Sequence, residues 1–143
     1  PILFVTAAGG GLGRVIASSS LGDFLTENAT LFQTIGIFFP FLLAAILKTA
    51  QGSSTVALTT TAGIIAPLMG ALGLDTPTLA SLTVMAIGAG AMTVSHANDS
   101  YYWVVTNFGE MRAQDGYKTQ TLMTLIIGIA GIINVFLLSL VLR

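Results

Sequence analysis

Along the chain, long apolar runs without charge alternate with short polar joints. Four runs are bracketed by charged residues: Glu27 to Lys48, Lys48 to Asp75, Asp75 to Asp99, and Lys118 to Arg143. Each is about as long as the roughly 20 residues that a helix needs to cross a hydrocarbon core. The pattern predicts spanning helices near 28–47, 56–74, 78–94 and 120–142. The last is apolar nearly all round, and Gly128 and Gly131 offer it a face for close helix packing. In the first, Pro40 would kink the helix without breaking it. The third is dense in Gly and Ala from Ala86 to Ala91, which suits a helix buried among others.

The second run is different. Its first half, TAQGSSTVALTTTAG, is polar yet uncharged, has a glycine near its centre, and is followed by Pro67. Polar backbone at membrane depth is tolerated only where protein or a water-filled cavity surrounds it. The joints are short: in GLDTP, Thr76 before Pro77 reads as a helix start. NFGEMRAQDGYKTQ is the one segment that plainly reads as aqueous. Lys48, Arg112 and Lys118 are too few to orient the chain by the positive-inside rule.

Composition supports the membrane reading. Hydrophobic residues make up 54% of the 143 positions and charged residues 8%, against about 25% charged in a typical soluble domain. The mean hydropathy is +0.88. A net charge of −1 offers no basic surface for nucleic acid. With no cysteine and one histidine, disulfides, thiolate chemistry and the usual multi-histidine metal sites are excluded, and no cofactor is expected. The chain begins at Pro1 without a signal-peptide pattern, and we expect it to be a piece of a longer protein.

Three stretches are candidates for chemistry. The opening, ILFVTAAGGGLGRVIASS, resembles the glycine turn of a dinucleotide-binding unit, with Gly9, Gly11 and Gly13 placed to approach a pyrophosphate. That fold also needs alternating strands and an acidic residue about 20 positions on. Here DFLTEN and a membrane-length run follow instead, so an NAD(P)-dependent oxidoreductase is the remote alternative and the chain is not expected to be an enzyme. Gly10, Gly11 and Arg14 remain candidates for a substrate contact, with a snorkelling role at the membrane edge as the alternative for Arg14.

The second stretch is Gln51, Gly52, Ser53, Ser54 and Thr55. Hydroxyl and amide donors around a glycine, beside backbone N–H groups of a half-helix, suit a carboxylate on a polyhydroxylated body. Scattered Ser and Thr in membrane helices more often bond back to their own backbone, but five contiguous polar residues exceed that pattern. The third is SHANDSYYW, with Ser95, His96, Asn98 and Asp99 after an apolar run. On a helix His96 and Asp99 would share a face. Ionisable residues at membrane depth mark ion or proton pathways. The alternative is a wet interfacial loop, for which Tyr101, Tyr102 and Trp103 would be the aromatic belt.

AQGSSTVALTTTAGIIAPL, SHANDSYYWVV and KTQTLMTLIIGIAGIINVFLLSLVL, in that order and spacing behind the glycine-rich opening, resemble the C-terminal part of the gluconate permease (GntP) family. The resemblance covers essentially the whole chain. It implies an all-α polytopic membrane protein: about four transmembrane helices plus broken or re-entrant segments, part of an inverted-repeat ion-transporter-type fold. It also implies multi-pass insertion in a bacterial inner membrane and proton-coupled uptake of gluconate or a related sugar acid. Gln51 to Thr55, Ser95 and Asn98 would then contact substrate, and His96 and Asp99 would be the proton-linked groups. The rival is a sodium-coupled carrier of another carboxylate or an amino acid. Family members are much longer than this chain, so the remainder of the transporter would be its partner, beside the lipid bilayer. Apolar faces left without partner helices would demand detergent or association into a homo-oligomer.

Overall fold

The computed structural model describes residues 27–28 and 34–142, and among these every regular element is helical. The elements are α1 (Phe38–Gln51), α2 (Ser54–Ile65), α3 (Pro77–Met92), α4 (Ser100–Phe108), α5 (Ala113–Gly116) and α6 (Leu122–Val141). A π-helical stretch, Tyr117–Thr121, fuses α5 to α6 into one helix of 29 residues, Ala113–Val141.

Among the described residues this fused helix has the length and apolarity to cross a membrane. The apolar helices α1, α2 with its 3-10 extension, and α3 are shorter, and α4 is shorter still. The run expected at 28–47 holds α1, which begins at Phe38 after a turn at Gly36 and continues past Lys48 to Gln51. The run expected at 56–74 holds α2, which tightens into a single 3-10 turn at Ala66–Leu68 because Pro67 lacks the N–H that α-helical bonding needs. The joint before α3 starts that helix as its sequence suggests: Thr76 caps it by accepting from Leu79 N at 3.3 Å, with Pro77 in the first turn.

Helix α3 is central, packed on α1, α2 and α6. The contact faces follow helical periodicity. Ile37, Phe41, Ala44 and Lys48 form the buried stripe running into and along α1, and Gly128, Ile132, Val135 and Ser139 form that of α6. Small residues bring the backbones close. A Cβ at Gly90 would overlap the Phe41 carbonyl, and one at Gly128 would overlap the Thr93 hydroxyl. Ala44, Ala57 and Ala91 meet where α1, α2 and α3 converge. The other face of α6, with Ile126, Ile129, Ile133 and Leu137, is exposed and apolar.

Candidate functional site

Two interruptions of helix sit against each other at one end of this core. The first separates α1 from α2. Gly52 ends α1 in the left-handed conformation, φ +85°, its N–H bonding to the Lys48 carbonyl at 2.8 Å. Ser53 then restarts the chain as the N-cap of α2, its Oγ accepting from Val56 N at 3.3 Å. Gln51 is exposed and its side-chain amide donates to the Ser53 carbonyl at 3.1 Å. Ser54 is half-buried and Thr55 exposed, and Thr59 behind them bonds back to the Thr55 carbonyl at 2.9 Å.

The second interruption separates α3 from α4. Helix α3 stops at Met92, and residues 93–99 are not helical, so His96 and Asp99 do not share a helix face as their spacing alone would have it. The chain leaves through Val94 at φ +55°, a strained conformation for a β-branched residue. It then turns at 97–98, with Asp99 N bonding to the His96 carbonyl at 2.8 Å. Asp99 caps α4, its Oδ1 accepting from Tyr101 N at 3.0 Å.

The two breaks interlock. A Cβ on Gly52 would overlap the Asn98 carbonyl, so glycine is required there by both space and backbone angle. The Thr49 carbonyl, at the end of α1, accepts from Asn98 Nδ2 at 2.9 Å and from His96 Nε2 at 3.0 Å. A carbonyl can only accept, so in this arrangement His96 carries its hydrogen on Nε2. Beneath them lies a buried ion pair: Lys48 Nζ stands 2.5 Å from Asp99 Oδ2, with side-chain exposures of 1% and 6%. The ammonium also donates to the Gly52 carbonyl at 2.5 Å, and Ser95 Oγ donates to the same Asp99 oxygen at 2.6 Å. Every partner in this cluster lies within a few residues of a helix end, where backbone groups lack intrahelical partners.

The wet-loop alternative for SHANDSYYW is corrected for Asp99 and Ser95, which are buried, Asp99 against Lys48 of α1 and Ser95 against Thr121 and Thr124. It describes Tyr101 and Trp103 better: both are exposed, and Trp103 Nε1 donates to the Ala97 carbonyl at 2.8 Å. Tyr102 turns inward, fully buried, its hydroxyl donating to the Ala113 carbonyl.

Lys48 was legible in sequence only as the end of a run. Its signal is its phase, seven positions beyond Phe41 on the buried stripe of α1. Thr121 and Thr124 carried no sequence signal. Thr121 Oγ1 donates to the Ser95 carbonyl at 2.6 Å, and Thr124 Oγ1 accepts from Ser95 N at 2.9 Å. Thr121 ends the π-helical stretch, and such single-turn insertions often accompany functional sites. The fused helix thereby also holds the α3–α4 break. Gly10, Gly11 and Arg14 lie outside the described residues.

The chain is 36% identical to a gluconate permease of Pseudomonas aeruginosa over 142 residues, 99% of this chain and 31% of that protein. It is 32% identical to a gluconate permease of Bacillus subtilis over 140 residues, 98% of this chain and 30% of the relative. It is 31% identical to the Gnt-II system L-idonate transporter of Escherichia coli over 142 residues, again 99% of this chain and 31% of the relative. The chain thus spans less than a third of the length of these relatives. No solved structure matches it. The family model described as GntP family permease matches residues 1–141, the glycine-rich opening included, which removes the dinucleotide-enzyme alternative. The chain belongs to the GntP family of permeases, membrane transporters and not enzymes.

Proposed function

We propose that the intact protein, of which this chain is the C-terminal portion, imports gluconate or a related sugar acid with protons across a bacterial inner membrane. The observation that carries the reading is the meeting of two helix breaks, Gly52–Ser53 and Thr93–Asp99, over a buried charge pair inside an apolar helical body. Broken helices whose ends face one another are how membrane carriers expose backbone polarity to a solute at mid-depth. In this reading the spans lie near 28–47, 56–74, 78–94 and 120–142, within a multi-pass inverted-repeat fold. The first and second meet at a break rather than each crossing independently.

Within the site, the first turn of α2 and the side chains of Gln51, Ser53, Ser54 and Thr55 hold the sugar acid. Gly52 admits the close approach of the two breaks. Ser95 and Asn98 complete the polar wall, and His96 and Asp99 carry the proton linkage. Gly10, Gly11 and Arg14 supply a further substrate contact. The remaining length of the transporter closes the site and covers the exposed face of α6, with lipid or a second copy of the protein over the rest.

The test uses the absence of cysteine from this chain. Single Ser54→Cys and Asn98→Cys variants are made in the intact transporter with cysteines elsewhere removed. They are reacted with a membrane-permeant thiol reagent, with and without gluconate. Gluconate is expected to slow labelling at both positions while leaving a cysteine on the outer face of α6 unaffected. Equal labelling rates at both break positions, in a preparation that transports, contradict the site. The coupling fails if uptake is insensitive both to the proton gradient and to His96→Ala and Asp99→Asn.

A further inference from the structure

We infer that Lys48 is the receptor for the substrate's carboxylate and Asp99 its resident counter-ion, the two acids exchanging on one ammonium when Asp99 takes up a proton. This rests on the sugar-acid reading above.

Among the described residues Lys48 is the buried cation; Arg112 and Lys118 are exposed. A desolvated ammonium is tolerated only while an anion sits against it. In the structure Asp99 fills that role, and its second oxygen is already committed to Tyr101 N. Among the described residues the elements packed around the pair offer no substitute. Helices α2, α3 and α6 carry no charged residue along their lengths. Arg112 and Asp115 pair with each other at 2.9 Å on the surface. His96 is occupied by the Thr49 carbonyl, and of the tyrosines beside Asp99, Tyr101 is exposed and Tyr102 is bonded to Ala113. If Asp99 is neutralised, Lys48 keeps its charge only where another anion replaces that carboxylate, and the substrate carboxylate is that anion.

The surrounding hydrogen bonds accommodate the exchange without moving Asp99. A proton added to Oδ2 is donated to Ser95 Oγ, 2.6 Å away, because a hydroxyl that donates in one state can accept in the other. Oδ1 keeps Tyr101 N, so the cap of α4 survives. Lys48 keeps the Gly52 carbonyl and turns its released N–H toward the Ser53–Thr55 turn, where Ser54 is half-buried and Thr55 exposed. The charges balance. The empty pair sums to zero as Lys⁺ with Asp⁻. The loaded site also sums to zero, as Lys⁺ with carboxylate and a neutral Asp99. One proton therefore enters per carboxylate, and this step moves no net charge.

The experiment uses the intact transporter in liposomes with labelled gluconate. Wild-type protein is expected to accumulate gluconate under an inward pH gradient and to ignore a potassium diffusion potential at equal pH. Accumulation driven by the potential alone overturns the exchange. Lys48→Gln with Asp99→Asn removes both charges together and leaves none uncompensated, so the protein should stay monodisperse. Its gluconate affinity should fall about 10- to 100-fold, as loss of a charge-assisted contact does. A purely structural pair would instead leave affinity at the wild-type value in this double variant, which overturns the role of Lys48. Asp99→Asn alone imitates the protonated state. Gluconate binding should lose its dependence on pH, and binding that still tightens on acidification overturns the role of Asp99. If wild-type protein neither binds nor transports gluconate, the sugar-acid reading fails first and this inference falls with it.

Discussion

Gly52→Ala is the substitution whose cost follows most directly from the geometry. Gly52 has φ +85°, which costs a side-chain-bearing residue about 1–2 kcal/mol. Its new Cβ would also overlap the carbonyl of Asn98, a backbone group that cannot swing aside, and overpacking of this kind adds about 1–3 kcal/mol. Together the two effects reach about 2–5 kcal/mol. Gly73 supplies the internal comparison: its φ is +67° and nothing lies within 4 Å of a Cβ built there. Gly73→Ala should therefore carry the backbone cost alone, about 1–2 kcal/mol. The assay is thermal unfolding of the intact protein in detergent, followed by gluconate uptake. Gly52→Ala should unfold at the lower temperature and lose uptake, while Gly73→Ala keeps it. Equal midpoints with full uptake in both would show that the two breaks do not touch in the working transporter.

Further outcomes follow from individual positions. Ser53→Ala removes the N-cap of α2 and should cost about 1 kcal/mol in unfolding, with Ser53→Asn restoring most of it. Gly128→Ala sets a Cβ onto the Thr93 hydroxyl and should destabilise, whereas Gly88→Ala meets nothing within 4 Å and should stabilise α3 by up to about 1 kcal/mol through helix propensity alone; paired melts decide both. Thr61 Oγ1 is buried without a hydrogen-bond partner, so Thr61→Val should raise the unfolding midpoint, and a lowered midpoint would mean that the hydroxyl is bonded in the intact protein. Thr121→Val leaves the Ser95 carbonyl without its donor and should cost about 1–2 kcal/mol, with faster hydrogen exchange through the α3–α4 break as the local readout.

The parts of this molecule that sequence made legible are those encoded locally. The helix start at Thr76–Pro77, the departure from helix around Gly52 and the apolar terminal helix each rest on residue types within one turn of one another. Helix lengths were less legible. Hydropathy reports the solvent a residue will meet, and the turn at Gly36 and the tightening at Pro67 shorten helices without changing it. The join between the breaks was illegible for a different reason. Lys48 and Asp99 lie 51 positions apart, and each alone looks like a charge that ends an apolar run. Only the crossing of α1 over the end of α3, set by Gly90 against Phe41 and Ala44, brings them together. The threonine clamp on Ser95 is likewise tertiary, since Thr121 and Thr124 become donor and acceptor for one residue through the winding of the fused helix.

The most direct test of the account is accumulation of labelled gluconate by the intact protein in liposomes, measured with an inward proton gradient, with an inward sodium gradient, and with neither. Accumulation above equilibrium is expected under the proton gradient alone, abolished when that gradient is collapsed. Accumulation under sodium with the pH gradient collapsed, or equilibration without accumulation under every gradient, would contradict it.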